Sequence, residues 1–268
     1  MAAPRADNPP SASTSAPGWV PPGLTEEARA DWLDLANATD EAAAFTTRMI
    51  ADLPDPVRRW LAHVIAPGTP LLTSVELTVH GQIKLGAWRD FTGVQRLAPG
   101  RGFVWAATAR MYGLPIVGFD RYSRYTRGTG ETLWKMLGRV PVLSGGGPDV
   151  TRSAADRYAG ELLVVVPAAA LSPYVSWQAV DADRAIARIR VGAGQHDVTL
   201  KVSEAGVLTS LSTARWGATG EGTFAERPFT ADFTGEVTFD GVTMPKEIAA
   251  GWAPERFIRY TIDSAVHR

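Results

Sequence analysis

Two periodicities divide the chain. From Leu24 to about Ile65 apolar residues return every three or four positions, and from Thr73 onward they mostly alternate with polar ones. Thr25 is placed to cap a helix, with Glu26 and Glu27 in its first turn and Leu24, Ala28, Trp32 and Leu35 at helical spacing, which predicts a helix over 26–37. Asp40 opens a second, running to about Ala51, with Phe45, Met49 and Ile50 as its apolar face. Pro56 suits the first turn of a third, 56–65, carrying Val57, Trp60, Leu61 and Val64, and Pro67-Gly68 ends it.

The alternation of Val75, Leu77 and Val79 with Glu76, Thr78 and His80 then marks a strand. Gly81 reads as a bulge, and Ile83 and Leu85 resume the apolar face. Strand-like runs follow at 88–97, 102–111, 115–126 and 131–138, and again at 174–181, 184–191, 196–203, 206–216, 229–239, 245–252 and 257–266. Between the two groups, the break Ser144-Gly145-Gly146-Gly147-Pro148 leads into a helix over 151–165, capped by Thr151, with Ala154, Tyr158, Leu162 and Val165 on one side. Short connections favour antiparallel neighbours, because parallel pairs need long crossovers. A meander of about eleven strands tends to curl. The expected fold is therefore α+β and β-rich: a curled antiparallel sheet, half-barrel or open barrel, with N-terminal helices and the mid-chain helix across the concave face. Residues 1–23, with six prolines and no apolar core of a signal peptide, are expected to form a disordered tail. Residues 24–268 are expected to form one domain, its helical segment at 25–66.

Composition narrows the chemistry. The 268 residues are 45% hydrophobic with a formal net charge of -1, which suits a globular core and gives no basic excess for nucleic acid. Without cysteine there is no thiolate nucleophile, iron–sulfur cluster or cysteine zinc site, and His63, His80, His196 and His267 form no local metal motif. No metal and no cofactor are expected. The longest strongly apolar run, Leu162 to Leu171, is too short for a membrane span. With no export signal visible, the cytoplasm is the expected location. The oligomeric state is left open.

Four features carry candidate chemistry. The glycine run at 145–147 lacks the phosphate-loop spacing and reads better as a flexible link. On the mid-chain helix Asp149–Arg152, Arg152–Asp156 and Arg157–Glu161 fall at i,i+3 and i,i+4, either a solvated face or, if the helix lines a cavity, a place where Arg152 and Glu161 meet a ligand. In the strand 119–125, Asp120, Tyr122 and Arg124 share one face, which is either an exposed sheet surface or the wall of a polar pocket. Nine tryptophans are many; Trp105, Trp134 and Trp177, in runs with small or apolar neighbours, are core residues or the lining of an apolar cavity.

Several segments together resemble an uncharacterised bacterial family of unknown function: Leu53 to Leu61, Pro67 to Leu71, Phe103-Val104-Trp105, Gly147 to Ala154, Asp240 to Pro245, and Ala250-Gly251-Trp252. The likeness spans about residues 50–266. The Phe103-x-Trp105 strand followed by Gly130, Leu133 and Trp134 is also similar to the bacterial lipoprotein-carrier half-barrel, and this second resemblance implies a concave apolar face that holds acyl chains.

Two functions fit. One is a cofactor-independent cyclase or isomerase acting on a bulky apolar natural product, with Asp120 and Glu161 as acid–base groups and Trp105, Tyr122, Arg124, Trp134, Arg152 and Trp177 contacting the ligand. The other is a non-catalytic carrier of a hydrophobic ligand or lipid. A carboxyl group free in a deep pocket would favour the first, and an apolar groove the second.

Overall fold

The computed structural model describes residues 18–37, 42–123, 128–137, 139–220 and 222–268. Among the described residues thirteen strands form a single antiparallel sheet, curled into a half-barrel. The first six are β1 (Val75–Leu85), β2 (Ala87–Ala98), β3 (Gly102–Met111), β4 (Leu114–Ser123), β5 (Thr129–Met136) and β6 (Val140–Gly145). The other seven are β7 (Val175–Ala179), β8 (Arg184–Val191), β9 (Gly194–Val202), β10 (Leu208–Gly220), β11 (Thr223–Phe239), β12 (Val242–Trp252) and β13 (Ile258–His267). The spatial order is β6-β5-β4-β3-β2-β1-β13-β12-β11-β10-β9-β8-β7. Each half is thus a meander, and the two meet where β1 pairs β13, from Val75 opposite His267 to Ile83 opposite Ile258. The expected count of about eleven is low chiefly because β6 reads as a turn in sequence. Its Pro141 and Ser144-Gly145 are tolerated because it is an edge strand, paired on one side only.

Among the described residues three α-helices accompany the sheet: α1 (Glu26–Asp34), α2 (Asp55–Val64) and α3 (Pro148–Val165). The Thr25 hydroxyl caps α1, accepting from the Ala28 amide at 3.3 Å. The helix expected from Asp40 to Ala51 is not formed as such. Residues 38–41 lie outside the described residues, and only a 3-10 turn, Thr47–Ile50, is helical. Tertiary pairing holds Phe45 extended: its amide donates to Thr69 O at 2.8 Å and its carbonyl accepts from the Gly68 amide at 2.9 Å. Helix α3 begins at Pro148, three residues before the expected 151, directly after Gly147 with φ 89°. Thr151 is not its cap; its hydroxyl accepts from the Gly130 amide of β5 at 2.9 Å. A Cβ at Gly130 would stand 2.7 Å from Thr151 Cα, so the helix start sits directly on the strand.

The period-2 alternation separates two cores. On the convex face Val94, Ala98, Val104, Ala106 and Phe119 pack under Ala28, Trp32 and Leu35 of the α1 segment. Arg96 bonds Glu76 within this layer, both 3% exposed, and lies 4.3 Å over the Trp32 ring. Arg121 is clasped by Glu27, Asp31 and Glu131 at 2.7–2.8 Å. Trp19 meets Trp32 edge-on at 5.8 Å and its carbonyl accepts from Trp32 Nε1 at 2.9 Å. The docked chain therefore starts inside the stretch 1–23 that was expected to be a disordered tail; residues 1–17 lie outside the described residues. On the concave face the larger core packs against α3, the connection between the two edge strands, which lies across the curl as expected.

Candidate functional site

Between α3 and the concave face lies a cavity of about 170 Å³. Both halves of the sheet wall it: Val79 and Ile83 from β1, Trp105 from β3, and Phe229, Ile248 and Tyr260 from β11–β13. Val164 and Val165 of α3 close it. These residues face inward because each strand presents alternate positions to the curl. An apolar cavity of roughly 150 Å³ accepts a benzene ring. As it stands, the space therefore admits one ring or a short acyl segment rather than a bulky polycycle.

One end of the cavity is polar and organised around Arg157. Its Nη1 donates to Asp120 Oδ2 at 2.8 Å and its Nε to Glu161 Oε1 at 2.7 Å. Trp134 Nε1 and the Thr132 hydroxyl donate to the other Asp120 oxygen, and Gln95 Nε2 donates to the other Glu161 oxygen at 2.6 Å. The guanidinium lies about 5 Å from the ring centroids of Phe103 and Trp105 (5.0 and 4.9 Å). Burial alone would lower its pKa; the Glu161 and Asp120 charges outweigh burial and hold it above the usual arginine value. Every carboxylate oxygen here already has a donor.

Arg215 differs. It reaches the cavity from β10, on the face shared with Leu211 and Thr213. It forms no hydrogen bond or ion pair among the described residues, and its Nε is sealed from solvent without a partner. Aromatic faces hold it instead, with Phe229 at 4.8 Å and Trp252 at 5.3 Å from the guanidinium carbon. Gly217 makes room for that Trp252 ring, since a Cβ there would come 2.2 Å from it. Desolvation, with the neighbouring Arg157 charge, pushes the Arg215 pKa down to about 10 against the pull of nearby carboxylates. It remains a cation at neutral pH. Burial, and then the Glu161 charge, pushes the Tyr260 phenol above its ordinary value.

A second polar pair tethers α3. Asp156 Oδ1 meets His196 Nδ1 at 2.6 Å, and Oδ2 accepts from the Trp216 amide at 2.6 Å. Among the described residues no three His, Cys, Asp or Glu side chains converge on a metal-sized site, and no helix is long and apolar enough to cross a membrane.

The expected site residues separate on this geometry. Asp120, Glu161 and Trp105 line the cavity. Trp134, buried against Trp105 with ring centroids 5.5 Å apart, stands behind it and orients Asp120. Trp177 does not belong to the site: it packs edge-on against Trp60 of α2 at 6.4 Å and donates to Ala170 O. Arg152 does not either. It is nearly half exposed, pairs with Glu226 outside the cavity and stacks 4.0 Å over Trp216. Only the backbone of Tyr122 is described, and Arg124 lies outside the described residues. Of the spaced pairs on α3, Arg157–Glu161 forms, but inside; Asp149 bonds Trp216 and Asp156 bonds His196 in place of Arg152. Arg215, Gln95 and Tyr260 went unnoticed. The one available signal was the inward parity of Arg215 between Thr213 and Gly217.

The family described as "Family of unknown function (DUF6544)" matches residues 43–261. No curated protein matches. Among solved structures, an outer membrane lipoprotein-sorting domain assignment from Vibrio parahaemolyticus is 8% identical, with 73% of this chain and 86% of that one covered at TM-score 0.41. A DUF1329 family protein from Desulfovibrio piger is 10% identical over the same shares, TM-score 0.41. A LolA superfamily protein from Nitrosomonas europaea is 10% identical over 84% and 94%, TM-score 0.39. At such identities and scores none of them bears on function.

Proposed function

This chain belongs to DUF6544, a family of unknown function, and we propose that it is a non-catalytic binding protein for a small apolar ligand held between α3 and the concave sheet. One observation carries the reading. The molecule keeps an apolar cavity of about 170 Å³ at the centre of its main core, where close packing normally leaves little space. Away from its polar end the walls are branched and aromatic side chains, and its volume matches a ring or a short chain. The state of the acids supports binding over chemistry. A cyclase or isomerase that used Asp120 and Glu161 as its acid–base pair would need one of them free to exchange a proton with its substrate. Asp120 and Glu161 are instead held by Arg157, Trp134, Thr132 and Gln95.

Titration calorimetry with 1-octanol and with toluene tests the reading. Saturable binding at one site is expected in the wild type. Ala250→Phe, which fills the cavity from β12, should abolish it while the circular dichroism spectrum stays unchanged. A folded wild type that binds neither probe would end the proposal, as would an Ala250→Phe variant that binds as well as wild type.

A further inference from the structure

Resting on the reading of the cavity as a ligand site, we infer that the ligand is an amphiphile with one anionic oxygen headgroup, a carboxylate or a phosphate monoester, which Arg215 grips while the apolar part fills the space under α3.

The argument begins with what Arg215 lacks. Arg215 is half-buried with its Nε sealed from solvent, and a charge drawn this far into a core is ordinarily paired. The three carboxylates whose fields reach this guanidinium, Asp120, Asp156 and Glu161, are committed elsewhere. Asp120 and Glu161 are bonded to Arg157, and Asp156 gives one oxygen to His196 and the other to the Trp216 amide. None of them lies within ion-pair distance of Arg215. The fork is also fixed before any ligand arrives. Phe229 and Trp252 support the flat guanidinium from β11 and β12, so little side-chain freedom is left to lose on binding. A planar cation with unused N–H donors at the wall of an apolar cavity is complementary to a carboxylate or phosphate, which accepts two parallel bonds from such a fork. Tyr260, from β13, lines the same cavity, and its hydroxyl makes no hydrogen bond among the described residues. With its pKa raised it stays protonated and so remains able to donate.

The two arginines thus divide the work. Arg157 is consumed in holding α3 to β4 through Asp120, whereas Arg215 is left for the ligand. An apolar ligand alone would give no reason to set an unpaired cation, with its Nε sealed from solvent, at the wall of this cavity.

Calorimetry at pH 7.5 with octanoate, octyl phosphate and the uncharged methyl octanoate tests this. The wild type should bind at least one anion about tenfold more tightly than the ester, the scale of a charge-assisted hydrogen bond in a dry site. Whichever anion is preferred identifies the headgroup. In Arg215→Met the ratio of anion to ester affinity should fall to near one, and Arg215→Lys, which keeps the charge but loses the fork, should fall between. Equal wild-type affinity for anion and ester, or an anion preference that survives in Arg215→Met, overturns the inference and leaves the apolar-site reading standing. If all three ligands fail to bind a folded wild type, both fall together.

Discussion

Removing the cation at the polar end of the cavity should destabilise the protein through the charges it leaves behind. In Arg157→Met, the side-chain volume stays similar, but Asp120 and Glu161 lose bonds of 2.8 and 2.7 Å. Stripping one partner from a buried ion pair costs about 3–5 kcal/mol. Two features reduce that here. Both carboxylates are 26% exposed, and each retains neutral donors, Trp134 and Thr132 for Asp120 and Gln95 for Glu161. The expected loss is therefore about 2–3 kcal/mol, a drop of roughly 5–10 °C in Tm for a chain of this size. Urea unfolding followed by tryptophan emission measures it. Neutralising the orphans, with Asp120→Asn and Glu161→Gln added to Arg157→Met, should restore most of the loss, because the penalty lies in unpaired charge rather than in missing packing. A single variant within about 0.5 kcal/mol of wild type, or a triple variant no better than the single, would refute the reasoning.

Further outcomes follow from the rest of the molecule. Arg96→Met leaves Glu76, 3% exposed, with only the longer Arg268 contact at 3.7 Å and should cost about 2–4 kcal/mol in urea unfolding, whereas Arg96→Met with Glu76→Gln, which removes the poorly paired charge, should recover part of that loss. Trp19→Ala removes the edge-on ring at Trp32 and should lower stability by about 1–2 kcal/mol; a neutral result would mean that this ring contact adds nothing to the domain. His267 is buried with neither ring nitrogen partnered, and desolvation holds its pKa below 6.5, although the Val165 backbone and Asp240 pull the other way. The unfolded chain then takes up the proton first as pH falls. Stability should be constant above about pH 6.5 and decline below it toward the depressed folded pKa, by at most about 1.4 kcal/mol per pH unit from this group. His267→Phe should remove that component of the slope, and an unchanged acid limb would count against it.

The half-barrel was legible because its strands have one buried face, so that alternation in Leu77, Val79, Phe103 and Trp105 encodes both strand and curl. Parity put Asp120 on one face of β4, but that this face turns inward is set by the packing of α3 and β5 against it, where Arg157 and Trp134 bond its carboxylate. What escaped depends on contacts between distant elements. Nothing local tells that Trp177 turns toward Trp60 of α2 rather than into the cavity. The spacing of α3 offered Arg152, not Arg157, as the arginine to meet a ligand. The rotation of the helix, set where Thr151 and Ala154 sit on Gly130, buries one and exposes the other. The Asp40–Ala51 segment has helical spacing, yet its backbone is claimed by Gly68 and Thr69. Edge strand β6, with Pro141 and glycine at its end, has the composition of a turn and is a strand only because β5 offers it a partner.

The meeting of β1 and β13 at the middle of the sheet bears on how the chain reaches this form. Within each half, every strand pairs with its neighbour in sequence, so each half can zip up from local hairpins at small loop-closure cost. The β1–β13 ladder, with its Thr78–Ser264 hydroxyl contact at 2.6 Å, joins the far ends of the two zippers and must wait for both. Refolding should accordingly show hairpin formation in each half ahead of protection along this ladder in pulsed hydrogen exchange. A chain cut in the exposed link at Gly146-Gly147 would yield two pieces, each a complete run of sequential hairpins, with α3 retained on the second. Mixed together, these pieces have both the ladder and the helix with which to find each other, so the protein is a natural candidate for reconstitution from two fragments.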